Sequence, residues 1–508
     1  MDFEQTLLNL KDFKQRIEYA ATLPEKLVLE ICAKNTDINQ TVCLNEDYWK
    51  IRYLSKNKPP DTTPISWKEL YLFSPKNEVY SCGFTEVGDV SGQLGLGDVG
   101  DLENVLTLTK IPNIEAKQIA AGDMHSLLID LEDNVLSFGN NEMGQLGLGD
   151  DEHRISPTKI PSVSDWDGKV KQIACGNYFS LIIGLDDIVR SFGSNEMGQL
   201  GLGDVEDEEE HIPVKIPPTE YIKAKNIICK NDFSFIINWK NEVFGFGYAE
   251  EDVLGIHTNE EHIDEPTKLY FITAKQIAIG NIHSLLIDSH DDIWVFGSNY
   301  DGQLGLGSTT DSYPPTKLLL SNEVKPKFVA CGTAHSLIID SNDEVWSFGL
   351  NDKGQLGLGD NDNRTSPTKI KDIKAKYIAC GSDFTFIIDL EDTVWAFGNN
   401  EDGQLGLGDK ISKNTPTKVS GINGKVLQIA GGKAHTLMLI RSPGLLPFDD
   451  IMTLFSQGQI VKFEIEHNLQ IPHNALQGIY VGTFIDKQEN KKYGYIKYNQ
   501  QTNQILKP

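Results

Sequence analysis

Between Val79 and Ile440 the chain is built from short apolar runs separated by glycine and carboxylate turns. One interval carries the pattern in full. Pro367-Thr-Lys-Ile370 predicts a short strand, and its leading proline suits a sheet edge or strand start because proline has no N–H for the ladder. Ala375–Cys380 follows, with Tyr377 and Ala379 alternating against Lys376 and Ile378. The turn Gly381-Ser-Asp leads into Phe384-Thr-Phe-Ile-Ile388, and the acidic turn Asp389–Thr393 into Val394-Trp-Ala-Phe397. That arrangement predicts four strands in about 50 residues, with aromatic and β-branched side chains to fill the space beside them.

The interval recurs. Phe138–Asp150 reads FGNNEMGQLGLGD, and near-copies stand at Phe192–Asp204, Phe296–Gly307, Trp346–Asp360 and Phe397–Asp409. An earlier copy runs through Ser91–Asp98, and a worn one occupies Phe246–Ile256. Aligned on Gly92, Gly144, Gly198, Asp252, Gly302, Gly354 and Gly403, the steps are 52, 54, 54, 50, 52 and 49 residues. Four strands repeated at that period are the arithmetic of a β-propeller. The ends complement each other. Glu78–Gly83 has the second strand of the repeated hairpin without the first, and His435–Ile440 has the first without the second. Pairing them predicts an all-β, seven-bladed ring over 77–440, clasped by 78–83 and 434–440, with no open edge.

The flanks differ. In residues 1–73, Phe3, Leu7, Leu10, Ile17 and Ala20 fall at helical spacing, and Thr22-Leu-Pro-Glu25 and Ser66-Trp-Lys-Glu69 are capping boxes, so a small helical module is expected. In 441–508, a short helix over Phe448–Phe455 and strands over Ile460–Ile465, Ile479–Ile485 and Tyr493–Tyr498 predict a small β-rich appendage.

Charge narrows the function. With 46 Lys plus Arg against 73 Asp plus Glu, the formal net charge of −27 repels phosphate backbones and anionic lipid, so neither nucleic acid nor membrane is an expected partner. Without a signal peptide or a long apolar run, an intracellular protein is expected, cytoplasmic or nuclear and not secreted. Seven cysteines fit a disulfide framework poorly. Cys175, Cys229, Cys331 and Cys380 share one slot with Ala121, Ile279 and Gly431, which marks a small buried position rather than a metal ligand.

Several motifs invite chemistry and are better read as structure. GQLGLG lacks the following helix and Lys-Ser/Thr of a phosphate loop, and glycine there suits tight turns. His125, His283, His335 and His435 share a position with Phe179, Phe233 and Phe384, which cannot ligate a metal, so a packed ring layer is expected. Turns such as Asp340–Glu344 lack the glycine and bidentate glutamate of a calcium loop. The acidic run Asp204–Glu210 reads as a solvated loop that could attract a basic partner. No catalytic constellation, cofactor or metal site stands apart from the repeat.

The recurring FGxNxxGQLGLGD with GxxHSLxxD resembles the regulator of chromosome condensation repeat family, over roughly residues 77–440. That resemblance implies a seven-bladed propeller. It also implies that acidic and histidine side chains near the His-Ser/Thr turns touch a partner, since the family's best-known member is an exchange factor for a small Ras-like GTPase. The matching residues are Asp123, Asp232 and Asp383 with His125, His283, His335 and His435. The spacings vary by only five residues, which leaves no long insertion to wedge open a nucleotide site. The N-terminal segment resembles an F-box, with Leu23, Pro24, Leu27, Leu29, Ile31, Val42, Cys43 and Trp49 at matching positions. It implies docking on a Skp-type adaptor of a cullin ubiquitin ligase. The expectation is therefore a non-catalytic substrate-recruitment subunit, with an exchange factor or a structural interaction protein as the alternatives.

Overall fold

The computed structural model describes residues 76–85, 92–100, 103–203, 209–217, 219–320, 325–442 and four strands between 460 and 506. The helical module and all eight F-box-like positions lie outside the described residues, as does Phe448–Phe455.

Asn77–Arg441 is one compact unit. Its strands form seven groups of four, numbered here from the group that holds the first strand. Blade two shows the ordinary order: the end of Asn104–Ala121 is innermost, followed by His125–Asp130, Val135–Gly139 and, outermost, Arg154–Lys159. Asn104–Ala121, His262–Ile279 and Arg364–Cys380 each serve twice, as the outer strand of one blade and, past a bend, the inner strand of the next. The sequence pattern divides the last of these into Pro367–Ile370 and Ala375–Cys380. The ladder instead runs on through Asp372, held at φ 60, so pairing passes from Glu344–Lys374 directly to Ala375–Asp389.

Blade one draws on both ends of the unit. Asn77–Phe84 pairs with His435–Arg441 in unbroken register from Asn77–Arg441 to Gly83–His435. Lys425–Gly431 lies inside that pair and the start of Asn104–Ala121 outside it. The apolar core lies between blades. Phe384, Phe386 and Leu405 of blade seven pack on Ile429, Met438 and Ile440 of blade one. Val79, Leu437 and Leu439 of blade one pack in turn on Ile119, Leu128 and Phe138 of blade two. These two contacts close the ring.

The second described unit is a four-stranded antiparallel sheet in chain order: Ile460–Leu469, Gln477–Asp486, Lys491–Asn499 and Gln504–Leu506. Three of these strands are longer than the sequence pattern suggests, and the fourth is additional.

Candidate functional site

Within a blade the chain passes from inner strand to second strand at one end of the barrel and from second to third at the other. The ring therefore has two faces. One carries the inner-to-second turns and the GQLGLGD loops (the loop face); the other carries the acidic second-to-third turns (the hairpin face).

The GQLGLGD loop of each blade crosses onto the next blade. The carbonyl of Gln355 accepts from Thr385 Oγ1 at 2.9 Å, and those of Gln93, Gln145, Gln303 and Gln404 accept from Ser126, Ser180, Ser336 and Thr436 at 2.7–3.0 Å. Even the worn copy keeps the contact, because Val253 offers its backbone carbonyl to Ser284 Oγ at 2.9 Å. The leucine after each glutamine is buried (Leu94, Leu146, Leu200, Leu304, Leu356, Leu405), which stabilises each junction by roughly 1.5–3 kcal/mol. Gly357 has φ +68°, and a Cβ there would stand 2.8 Å from the Phe397 ring of the next blade. The third glycine of the motif then donates its N–H to the neighbour's outer strand, as Gly359 does to Asn414 at 2.8 Å. The motif is thus a clamp between blades, and its glycines answer to backbone conformation and close approach.

The four histidines belong to the same junctions. All are fully buried. Nε2 of His125, His283, His335 and His435 lies 2.9, 2.9, 3.0 and 3.0 Å from the hydroxyls of Ser180, Ser336, Thr385 and Ser126 on the following blade. Each of those hydroxyls spends its one proton on the glutamine carbonyl just described. Nε2 must therefore carry the imidazole proton and donate, while Nδ1 is buried without a hydrogen-bond partner. Burial drives the pKa of His125, His283 and His335 down to about 3 and that of His435 to about 4. The resemblance casts these histidines as partner contacts; their burial rules out direct contact, and they join blades instead.

The carboxylates of that expectation do reach the loop face, though not as equivalents. Asp232 and Asp383 immediately precede the ring-bearing residue, whereas Asp123 stands one place earlier, level with Asn177, Asn231 and Ser382. All three are half-buried; Asp123 lines a central channel, a cavity of about 340 Å³ bounded by the seven inner strands, while Asp232 and Asp383 lie just beyond its lining residues Lys230 and Ser382 in sequence. On this face, Asn177, Asn281, Thr333 and Ser382 each donate a backbone N–H to the neighbouring blade at 2.8–3.1 Å. Burial raises the carboxyl of Asp232 to about 6, with Asp123 and Glu196 adding repulsion. Burial likewise raises Asp123 and Asp383, and the charge of Lys230 offsets part of the rise in both.

Lys230 is the residue that motif reading overlooks. Six blades place glycine there (Gly122, Gly176, Gly280, Gly332, Gly381, Gly432), and blade four places lysine. Its Nζ spans blade five to donate to the Cys331 carbonyl of blade six at 3.1 Å, and burial lowers its pKa. The signal was present in the sequence as IICK against IACG. Cys175, Cys229, Cys331 and Cys380 line the same channel as free thiols whose pKa burial raises. Among the described residues no cluster of His, Cys, Asp and Glu could hold a metal, and no helix is long and apolar enough to cross a membrane.

On the hairpin face, the turn carboxylates are tied down locally. Asp340 Oδ1 caps the N–H groups of Asn342 and Glu344 while Oδ2 accepts from Trp346 Nε1 at 2.8 Å; Asp288 and Asp389 do the same. Inner-strand lysines pair with the turns in five blades (Lys117–Asp133, Lys171–Asp187, Lys275–Asp291, Lys327–Asp343, Lys376–Asp392). These are hairpin turns rather than cation loops.

Known proteins show the same architecture. The chain is 31% identical over 297 residues to the ultraviolet-B receptor UVR8 of Arabidopsis thaliana, covering 58% of this chain and 66% of the receptor. It is 28% identical over 275 residues to the E3 ubiquitin-protein ligase HERC2 of Homo sapiens, a match over 53% of this chain but only 6% of that protein. Among solved structures, Prp20p of Saccharomyces cerevisiae, which has binding properties toward Gsp1p and histones, superposes with a TM-score of 0.65 at 21% identity, covering 76% of this chain and 95% of Prp20p. That likeness is one of fold. Residues 78–438 match the RCC1-like domain, and the chain belongs to that family.

Proposed function

We propose that this protein is a non-catalytic protein–protein interaction scaffold whose loop face holds a target, and whose residues 23–54 recruit a Skp-type adaptor of a cullin ubiquitin ligase. The observation that supports the first half is the set of half-buried carboxylates, Asp123, Asp232 and Asp383, on the loop face. Partly desolvated charges on a rigid ring favour a basic partner surface, because water is already partly stripped from them. The second half rests on the F-box resemblance of Leu23, Pro24, Leu27, Leu29, Ile31, Val42, Cys43 and Trp49. Replacing Leu27 and Ile31 with Lys is expected to abolish co-purification with a Skp-type adaptor while leaving the propeller's strand signal in circular dichroism unchanged. Equal recovery of the adaptor by both versions, or by neither, would sink the ligase reading.

A second reading, exchange of nucleotide on a small GTPase, draws on the same carboxylates. It predicts that the protein accelerates release of labelled GDP and that Asp383→Ala removes most of the effect. His335→Ala is the wrong probe for it, since His335 joins two blades and its loss would act through stability. Unchanged GDP release in the presence of the wild-type chain would eliminate this reading.

A further inference from the structure

The hairpin face departs from its repeat in one blade. The turns between second and third strands read Leu131-Glu-Asp, Leu185-Asp-Asp, Ser289-His-Asp, Ser341-Asn-Asp and Leu390-Glu-Asp in blades two, three, five, six and seven. Blade four reads Trp239-Lys-Asn, with no carboxylate. Trp239 is 61% exposed, and the connections on either side of its turn add Tyr221 at 83% and Tyr270 at 84%. Exposed aromatic rings of this size, where they cluster, are a feature of surfaces that bind another molecule.

Lysines lie over two of these rings. Lys171 Nζ lies 5.5 Å from the Trp239 ring centroid, and Lys268 Nζ lies 5.6 Å from that of Tyr270 while pairing with Glu242 at the foot of the same turn. Lys225 Nζ donates to Asn241 Oδ1 at 3.1 Å, where the other blades place an aspartate that pairs with the matching lysine. Lys223 and Lys240 are exposed beside it. On a chain of formal charge −27, this is a local reversal of sign joined to an aromatic surface.

We infer that the Trp239 patch is a second docking surface, on the face opposite the loop-face carboxylates, for an acidic linear peptide that carries an apolar or aromatic side chain. The acidic residues would complement Lys223, Lys225 and Lys240, and the apolar residue would cover Trp239 and a flanking tyrosine. A nucleic acid fits less well. Asp186, Asp187 and Glu242 lie among these lysines. A short peptide can set a few carboxylates against Lys223, Lys225 and Lys240 and keep clear of those acids, whereas a continuous polyanion cannot, and the field of the whole chain opposes its greater charge.

The test is selection of displayed random peptides on the full-length protein, followed by fluorescence anisotropy with labelled copies of the selected sequences. Net-acidic sequences with an apolar residue are expected, and both Trp239→Ala and Lys240→Glu are expected to weaken them about ten-fold or more, more so at low salt. Leu390→Ala, on the corresponding turn of blade seven, should leave binding unchanged and controls for folding. Enrichment of neutral or basic peptides would overturn the inference. So would binding indifferent to both patch substitutions, tighter binding of a single-stranded oligonucleotide at equal salt, or concentration-dependent self-association that these substitutions abolish. None of these outcomes depends on the ligase reading or on nucleotide exchange.

Discussion

Lowering the pH from about 7 to about 5 is expected to remove on the order of 5 kcal/mol of stability from the propeller, because four buried imidazoles must stay neutral for it to remain closed. The sign follows from where the protons go. The folded pKa values of His125, His283 and His335, about 3, and of His435, about 4, lie below the ordinary histidine value of 6.5. Between these limits the unfolded chain binds more protons than the folded one. Stability is therefore complete above about pH 6.5 and falls as the pH drops toward the folded values, by at most about 1.4 kcal/mol per pH unit for each ring. Burial is the main cause, and the geometry adds to it: Nε2 already donates to the next blade, so an added proton must sit on Nδ1, which has no hydrogen-bond partner. Asp232 opposes the trend, since its raised carboxyl pKa of about 6 favours the folded state as pH falls through that value, and the raised carboxyls of Asp123 and Asp383 act in the same direction, so the net loss is smaller than the four rings alone would give. Urea midpoints measured across this range in wild type and in His335→Phe provide the check. Blades three, four and seven already carry Phe at this position, so the variant should fold and lose about a quarter of the histidine part of the pH dependence. An identical slope in both proteins would remove the histidines from the explanation.

Gly357→Ala is expected to destabilise the ring by about 3–5 kcal/mol, through a left-handed backbone that disfavours a side chain and a direct collision with Phe397. The collision can be separated from the backbone effect. Gly359 also has positive φ, +89°, but a Cβ there meets nothing nearer than 3.8 Å, so Gly359→Ala should cost only about 1–2 kcal/mol. Thermal or urea unfolding of the two variants measures the difference directly. Equal losses would mean that the close approach of the loop to the next blade contributes nothing, and the clamp assigned to GQLGLG would have to be abandoned.

These two results touch the residues on which sequence reading and structure part company. The period near 50 residues and the alternation within Ala375–Cys380 and Phe384–Ile388 already point to four-stranded repeats, because a strand's two faces are written locally. Reading GQLGLG as a turn rather than a phosphate loop also holds: each first-to-second glycine step closes a tight turn, as Gly357 N–H to Gly354 O at 3.0 Å shows. What that motif touches was not legible. Gln355 and Thr385 are 30 residues apart and meet only because one blade leans on the next. Lys230 was visible as an exception to a glycine column, yet its reach to blade six depends on the curvature of the ring.

The histidines show the division most clearly. Exchange of His with Phe along one column was enough to predict a packed ring layer, since only bulk and flatness are common to the two side chains. Whether such a layer faces a partner, the channel or a neighbouring blade is set by the angle between blades, which no single repeat encodes. By itself the amino-acid order determined the repeat unit, its number and its turn chemistry, all governed by contacts within about 50 residues. Tertiary structure alone decided that the histidines and GQLGLG loops join blades, that Asp123 and Asp383 come within the field of Lys230, and that Trp239 stands exposed on the other face. Those outcomes come from closing the ring, where desolvation and proximity act between residues that the chain keeps far apart.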